Sequence, residues 1–148
     1  MSNETRASFE TTASIRDHCL CLHTQRAARA LARRFDRVLS PLGLTNGQFS
    51  LMMALNRPEP VGMGPVAALL GMDRTTLTAA LKLLERRGLV AAAASPDDKR
   101  SRLLSLTLEG HALLAEAVPI WKETHAEVDQ LLDGREADAL RPALRALR

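Results

Sequence analysis

The sequence predicts a mainly α-helical fold carrying one small β-hairpin. Three observations predict it: apolar residues recur at three- and four-residue spacing through most of the 148 residues, Gly and Pro gather at the ends of those stretches, and one region, 89–106, reads as two short strands around a turn.

Residues 1–13 are rich in Ser, Thr, Asn and Glu and show no period, which predicts a flexible N-terminal arm. A helix is expected over residues 14–44, because Leu20, Thr24, Ala27, Leu31, Phe35, Val38 and Leu42 fall on one helical face. Arg26, Arg29, Arg33 and Arg37 form a second stripe, which is either a solvated face or a surface for a phosphate backbone or an anionic ligand. Ser40-Pro41-Leu42-Gly43 ends the helix, since Pro cannot continue the hydrogen-bond ladder and Gly takes left-handed turns. Thr45-Asn46-Gly47-Gln48 then fits a capping box, and Phe49, Met52, Met53 and Leu55 supply the apolar side of the helix it opens. Arg57-Pro58-Glu59-Pro60 stops that helix.

A short helix over about Gly64–Leu70 follows, then a Gly71-Met72 turn and a helix from Arg74 to Arg87 capped by Asp73. Leu77, Leu81 and Leu84 share its inner face, while Arg74, Thr75, Thr78, Lys82 and Arg86 look outward. Two helices across so short a turn make a helix-turn-helix. Leu89–Ala94 and the Leu104-Ser105-Leu106 alternation flank the turn formers Ser95 to Arg100, so a hairpin comes directly after the second helix. That is the wing of a winged helix, although alanine is a poor strand former. Thr107 caps a long helix through Leu114, Trp121 and Leu132 that Pro119 bends, and Asp133-Gly134-Arg135-Glu136 caps a last helix that Pro142 interrupts.

Composition narrows the function. Twenty Lys+Arg against seventeen Asp+Glu leave a formal charge of +3, which keeps nucleic acid open as a partner. Tyr is absent, and three Phe with one Trp give too few stacking surfaces for unpaired bases, so duplex DNA is favoured over single strands. No stretch reaches the roughly 18–20 apolar residues of a membrane span, and two cysteines make no disulfide framework. A cytoplasmic protein with no membrane partner is expected. No Ser-His-Asp order, phosphate-cradling Gly loop or metal-ligand spacing is present, so neither an enzyme nor a cofactor is expected.

The winged helix occupies residues 45–110, leaving amphipathic helices at 14–44 and 111–148 that need a partner for their apolar faces. Homodimerisation is the economical solution, and two-fold symmetry then implies a palindromic duplex site with half-sites about one helical turn apart. A helical dimer that binds only protein is the rival reading.

Five stretches stand in a telling order and spacing: Gly43-Leu44-Thr45 with Gln48-Phe49, Asp73-Arg74-Thr75-Thr76-Leu77-Thr78, Leu84-Glu85-Arg86-Arg87-Gly88-Leu89-Val90, Asp98-Lys99-Arg100, and Leu106-Thr107 with Gly110. Through them the chain resembles the multiple-antibiotic-resistance regulator (MarR) family of transcription factors. The resemblance implies that the helix opened by Asp73 enters the major groove and that Arg100 at the wing reaches the adjacent minor groove. Arg74 and Lys82 can then reach guanine edges or phosphates, and Thr75 and Thr78 a phosphate or a thymine methyl. Thr76 lies in the first turn, where free amides favour phosphate. Arg86 belongs to the same outward face, Asp98 is expected to pair with Arg100 and fix the wing, and Lys99 and Arg102 to add backbone attraction. The chain departs from many relatives at Ala79, where Arg is often found, and at Ala91 to Ala94, which lack the usual basic residue.

The resemblance also implies a repressor released by a small, often aromatic, acid. His23, Arg26, Arg29, Phe49, Met52 and Trp121 offer apolar walls with a few cationic groups for such a ligand, or else simply fill the dimer core. Oxidation is the alternative trigger. Cys21 falls where the organic-hydroperoxide-sensing branch keeps its reactive cysteine, and Arg29 matches an arginine of that branch, but the tyrosines that accompany that cysteine are missing, which favours a buried thiol serving as a small apolar residue. In His18-Cys19-Leu20-Cys21-Leu22-His23 the two His–Cys pairs point in different directions on a helix, which argues against one zinc site from all four and leaves a two-ligand half-site completed by a partner subunit as the alternative, while Cys19 stands as a second redox candidate.

Overall fold

The computed structural model describes residues 6–148. The chain divides into two compact units, the first ending at Arg34 and the second running from Phe35 to Arg148.

In the first unit the arm expected over residues 1–13 is shorter than that. Its residues 1–5 lie outside the described residues, and helix α1 (Phe9–His18) already begins at Phe9. Ser8 explains the early start, because its Oγ accepts the Thr11 N–H at 3.1 Å as an N-cap. The helix expected over 14–44 is two helices. The chain leaves helical geometry at Cys19 (φ −70°, ψ 108°), whose Sγ accepts the Leu22 N–H at 3.4 Å and opens α2 (Leu20–Leu39).

The second unit begins within the last turns of α2. A 3-10 turn (Ser40–Leu42) closes on left-handed Gly43 (φ 67°), as the Pro-Leu-Gly sequence requires. The capping box of α3 (Asn46–Leu55) forms with both of its bonds: Gln48 N–H to Thr45 Oγ1 at 3.1 Å and Thr45 N–H to Gln48 Oε1 at 3.0 Å. There follow β1 (Val61–Gly62), α4 (Met63–Leu70), α5 (Arg74–Arg86), β2 (Val90–Ala94), β3 (Arg102–Leu106), α6 (Leu108–Leu131) and α7 (Gly134–Arg145).

The sheet has three antiparallel strands in the order β1-β3-β2, one more than the two-stranded wing expected. At two residues β1 is too short to show a two-residue period; it exists because Val61 pairs with Leu104. The alanine-rich β2 pairs along its whole length with β3, from Val90–Leu106 to Ala94–Arg102, so cross-strand pairing overrides the poor propensity of alanine. Pro142 does not interrupt α7. It removes one hydrogen bond, to the carbonyl of exposed Asp138, and water can satisfy that carbonyl.

Leu39, Leu51, Met52, Val66, Leu77, Leu84 and Leu104 are fully enclosed in the core of this unit. At ~1.5–3 kcal/mol for each large apolar side chain buried, Leu77, Leu81 and Leu84 anchor α5 from below and leave its other faces free. One tight junction joins the sheet to α6. The Thr107 hydroxyl donates to the Gly88 carbonyl at 2.6 Å and accepts the Gly110 N–H at 3.0 Å, while the Thr107 N–H binds the Leu89 carbonyl at 3.1 Å. Gly110 is pressed so closely onto Leu89 that a Cβ there would overlap its carbonyl oxygen.

Candidate nucleic-acid interface

Helix α5 starts at Asp73, whose carboxylate accepts both the backbone N–H and the hydroxyl of Thr76 at 2.8 Å. Those two bonds hold the Asp73 carboxyl below the usual carboxylate range. They also correct the expectation for Thr76: its amide is the donor that the cap consumes, so it is not free for a phosphate. Thr78 turns its hydroxyl back to the Arg74 carbonyl at 2.7 Å.

Two faces of α5 remain outside the core. Thr75, Ala79, Lys82 and Arg86, at spacings of four, three and four, are all exposed and form the outer face. Arg74, Thr78, Leu81 and Glu85 line a cleft of about 420 Å³ that the start of α4 and the wing complete with Gly64, Ser95, Arg100, Ser101 and Arg102. Of the sequence-predicted residues, Arg74 and Thr78 of α5 line this cleft with Arg100 and Arg102 of the wing, Thr75, Lys82 and Arg86 are exposed on the outer face of α5, and Lys99 is exposed at the wing turn.

The wing turn is fixed differently from the expected Asp98–Arg100 ion pair. Asp98 Oδ1 accepts the backbone N–H of Arg100 at 2.9 Å, and Oδ2 accepts the Ser101 hydroxyl at 3.2 Å. A short carboxylate reaches the amide two residues on more readily than a long side chain's tip, so the turn is rigidified while the Arg100 guanidinium stays exposed. Sequence reasoning missed Glu85, whose Oε2 lies 3.5 Å from Arg102 Nη2. Its spacing of eleven residues from Arg74, three helical turns, was the available signal.

The residues considered for a small ligand divide between the two units. In the first, His23, Arg26 and Arg29 line a shallow groove on α2 together with Ala27, Ala30 and Arg33. In the second, Met52 is fully buried and Phe49 nearly so, with Phe49 stacked on half-buried Trp121 at 6.3 Å between ring centroids. Cys21 is exposed rather than buried, and the Gln25 side-chain amide donates to its sulfur at 3.1 Å; Arg29 donates in turn to the Gln25 carbonyl at 3.3 Å. Gln25 is thus a polar neighbour that the absence of tyrosine seemed to deny, and its i,i+4 spacing was legible. Cys19 is half-buried. The His18 and His23 rings each place Nδ1 2.8 Å from a carbonyl of the preceding turn. Among the described residues no three His, Cys, Asp or Glu side chains are grouped to hold a metal, and no helix is long and apolar enough to cross a membrane.

The MarR family model matches residues 42–101, from the turn before α3 to the wing. The chain is 32% identical over 101 residues to the organic hydroperoxide resistance transcriptional regulator of Bacillus subtilis (strain 168), which spans 68% of this chain and 69% of that protein. Among solved structures it resembles the transcriptional repressor CouR bound to a 23-mer DNA duplex, with a TM-score of 0.79, 31% identity and coverage of 90% of this chain and 94% of CouR. It also resembles the M. tuberculosis transcriptional regulator MOSR in complex with DNA, with a TM-score of 0.75, 39% identity and coverage of 88% and 99%. The winged-helix fold shared with these regulators, with the identity and coverage above, makes the chain a member of the MarR family of DNA-binding transcriptional regulators, which are not enzymes.

Proposed function

We propose that the protein is a homodimeric repressor that reads a palindromic duplex with α5 in the major groove and the wing in the adjacent minor groove. The observation that carries the reading is the cleft in which Arg74 and Thr78 of α5 face Arg100 of the wing, next to the exposed outer face of α5. Similar proteins solved on DNA support the duplex as partner. In this docking Arg74 and Lys82 meet base edges or phosphates, Thr75 and Thr78 contact the backbone or a thymine methyl, and Arg86 and Lys99 add phosphate attraction, which Arg102 adds only when released from Glu85. Asp98 and Thr76 act by holding the wing turn and the α5 cap. Apolar side chains left in solvent on both units support the dimer: Phe9, Ile15 and Leu20 in the first, Leu140, Leu144 and Leu147 in the second.

Fluorescence anisotropy on a duplex recovered by genomic footprinting tests the docking. Arg100→Ala should weaken binding to every duplex, and Arg74→Ala should also relax discrimination, by ~1–3 kcal/mol for a lost bidentate base contact. Wild-type affinity in both variants sinks the docking.

For release, a small anionic ligand on the α2 groove is supported by its four basic side chains, His23, Arg26, Arg29 and Arg33. Phe49, Met52 and Trp121 serve in this reading as core and wall. The hydrogen bond from Gln25 to exposed Cys21 favours a second reading, oxidation of that thiol. Release of DNA by aromatic carboxylates with Cys21→Ser behaving as wild type supports the ligand, whereas release by peroxide that Cys21→Ser abolishes supports oxidation.

A further inference from the structure

The face of α5 that borders the wing ends at Glu85, which among the described residues is the one carboxylate lining the cleft; the cations there are Arg74, Arg100 and Arg102. Glu85 is 28% exposed and Arg102 53%, and their ion pair spans 3.5 Å. A pair this long and this open to water contributes little to folding, so stability does not account for a carboxylate in such a place. With α5 in one groove and the wing in the next, the phosphodiester strand between the grooves passes over this cleft. A carboxylate paired with Arg102 there withholds that cation from it.

We infer that Glu85 is a positioning residue that sharpens DNA selectivity by holding Arg102. This rests on the docking proposed above. Non-specific binding is driven by phosphate neutralisation alone, so a cation tethered to the flank of α5 is one contact fewer for any duplex that fits poorly. On the operator, base contacts fix the helix and wing, and the strand follows Arg74 and Arg100 while the Glu85–Arg102 pair stays closed. Off the operator, the strand wanders across the cleft and finds Arg102 already neutralised by Glu85. Selectivity gained by penalising the wrong partner is a general device of specific interfaces.

The test compares Glu85→Gln with wild type on the footprinted operator and on a scrambled duplex of equal length, from 50 to 200 mM salt. Glu85→Gln should bind the scrambled duplex about threefold more tightly at low salt, with a salt slope steeper by about one phosphate contact, and should leave operator affinity within about twofold. Glu85→Asp, which keeps the charge, should retain the wild-type slope, and adding Glu85→Gln to Arg102→Gln should change nothing further. Unchanged scrambled-duplex affinity in Glu85→Gln, an equal gain on both duplexes, or the same gain without Arg102 each overturns the inference while the docking stands. If wild type binds neither duplex, the docking fails and the inference with it.

Discussion

Asp73 shows how much one side chain can fix. It caps α5 through two bonds to Thr76, and because those bonds favour the ionised form, its carboxyl titrates lower in the folded chain than in the unfolded one. The stability this adds is present above the unfolded value and is lost as pH falls through the folded one. Asp73→Asn, an equally good cap without the charge, should therefore match wild type near neutrality and lose Tm less steeply in acid; parallel Tm–pH curves would refute this. The cap was legible in the sequence because capping is local. Thr76 was misjudged because one amide cannot serve both the cap and a phosphate, and the Asp98 bond to the Arg100 backbone was hidden because sequence names the partners but not the atoms.

At the scale of elements, periodicity and caps made the long helices legible, and the turn at Gly43 followed from its Pro-Leu-Gly context. What escaped notice had no periodic or punctuating signal: the two-residue β1, which depends on a partner forty-three positions away, and the break at Cys19, where no Gly or Pro stands. Pro142 carried a strong signal that misled, since a single missing bond on an exposed helix is tolerable. The junction between sheet and α6 yields a prediction of its own. Gly110→Ala forces a methyl against the Leu89 carbonyl oxygen, a backbone atom that cannot swing aside, and should destabilise the fold by ~1–3 kcal/mol. Urea denaturation with an unchanged midpoint would show that the backbone gives way freely.

For the whole molecule, the question is what covers Leu140 and Leu144 on α7 and Leu147 just beyond its end, which are 42%, 43% and 63% exposed. In the proposed dimer the partner does, so light scattering should return about twice the 16.1 kDa chain mass. Leu140→Lys with Leu144→Lys should return the single mass and weaken operator binding at least ~10²-fold, as two linked reading heads become independent. A wild-type mass of one chain, or a double variant that remains dimeric, would sink the arrangement. The need for a covering surface was legible in the sequence because amphipathic helices advertise one, whereas the cleft beside the wing was not, being assembled from four separate stretches of chain. The Thr107 junction has a last consequence. Because its hydroxyl bonds the entry to β2 on one side and the first turn of α6 on the other, the two cannot be displaced independently. Coupling of this kind is reciprocal: if bending α6 alters how the wing meets DNA, then a duplex that immobilises the wing must stiffen α6 by the same free energy. Bound operator should therefore slow amide hydrogen exchange along α6, at positions that touch no nucleotide.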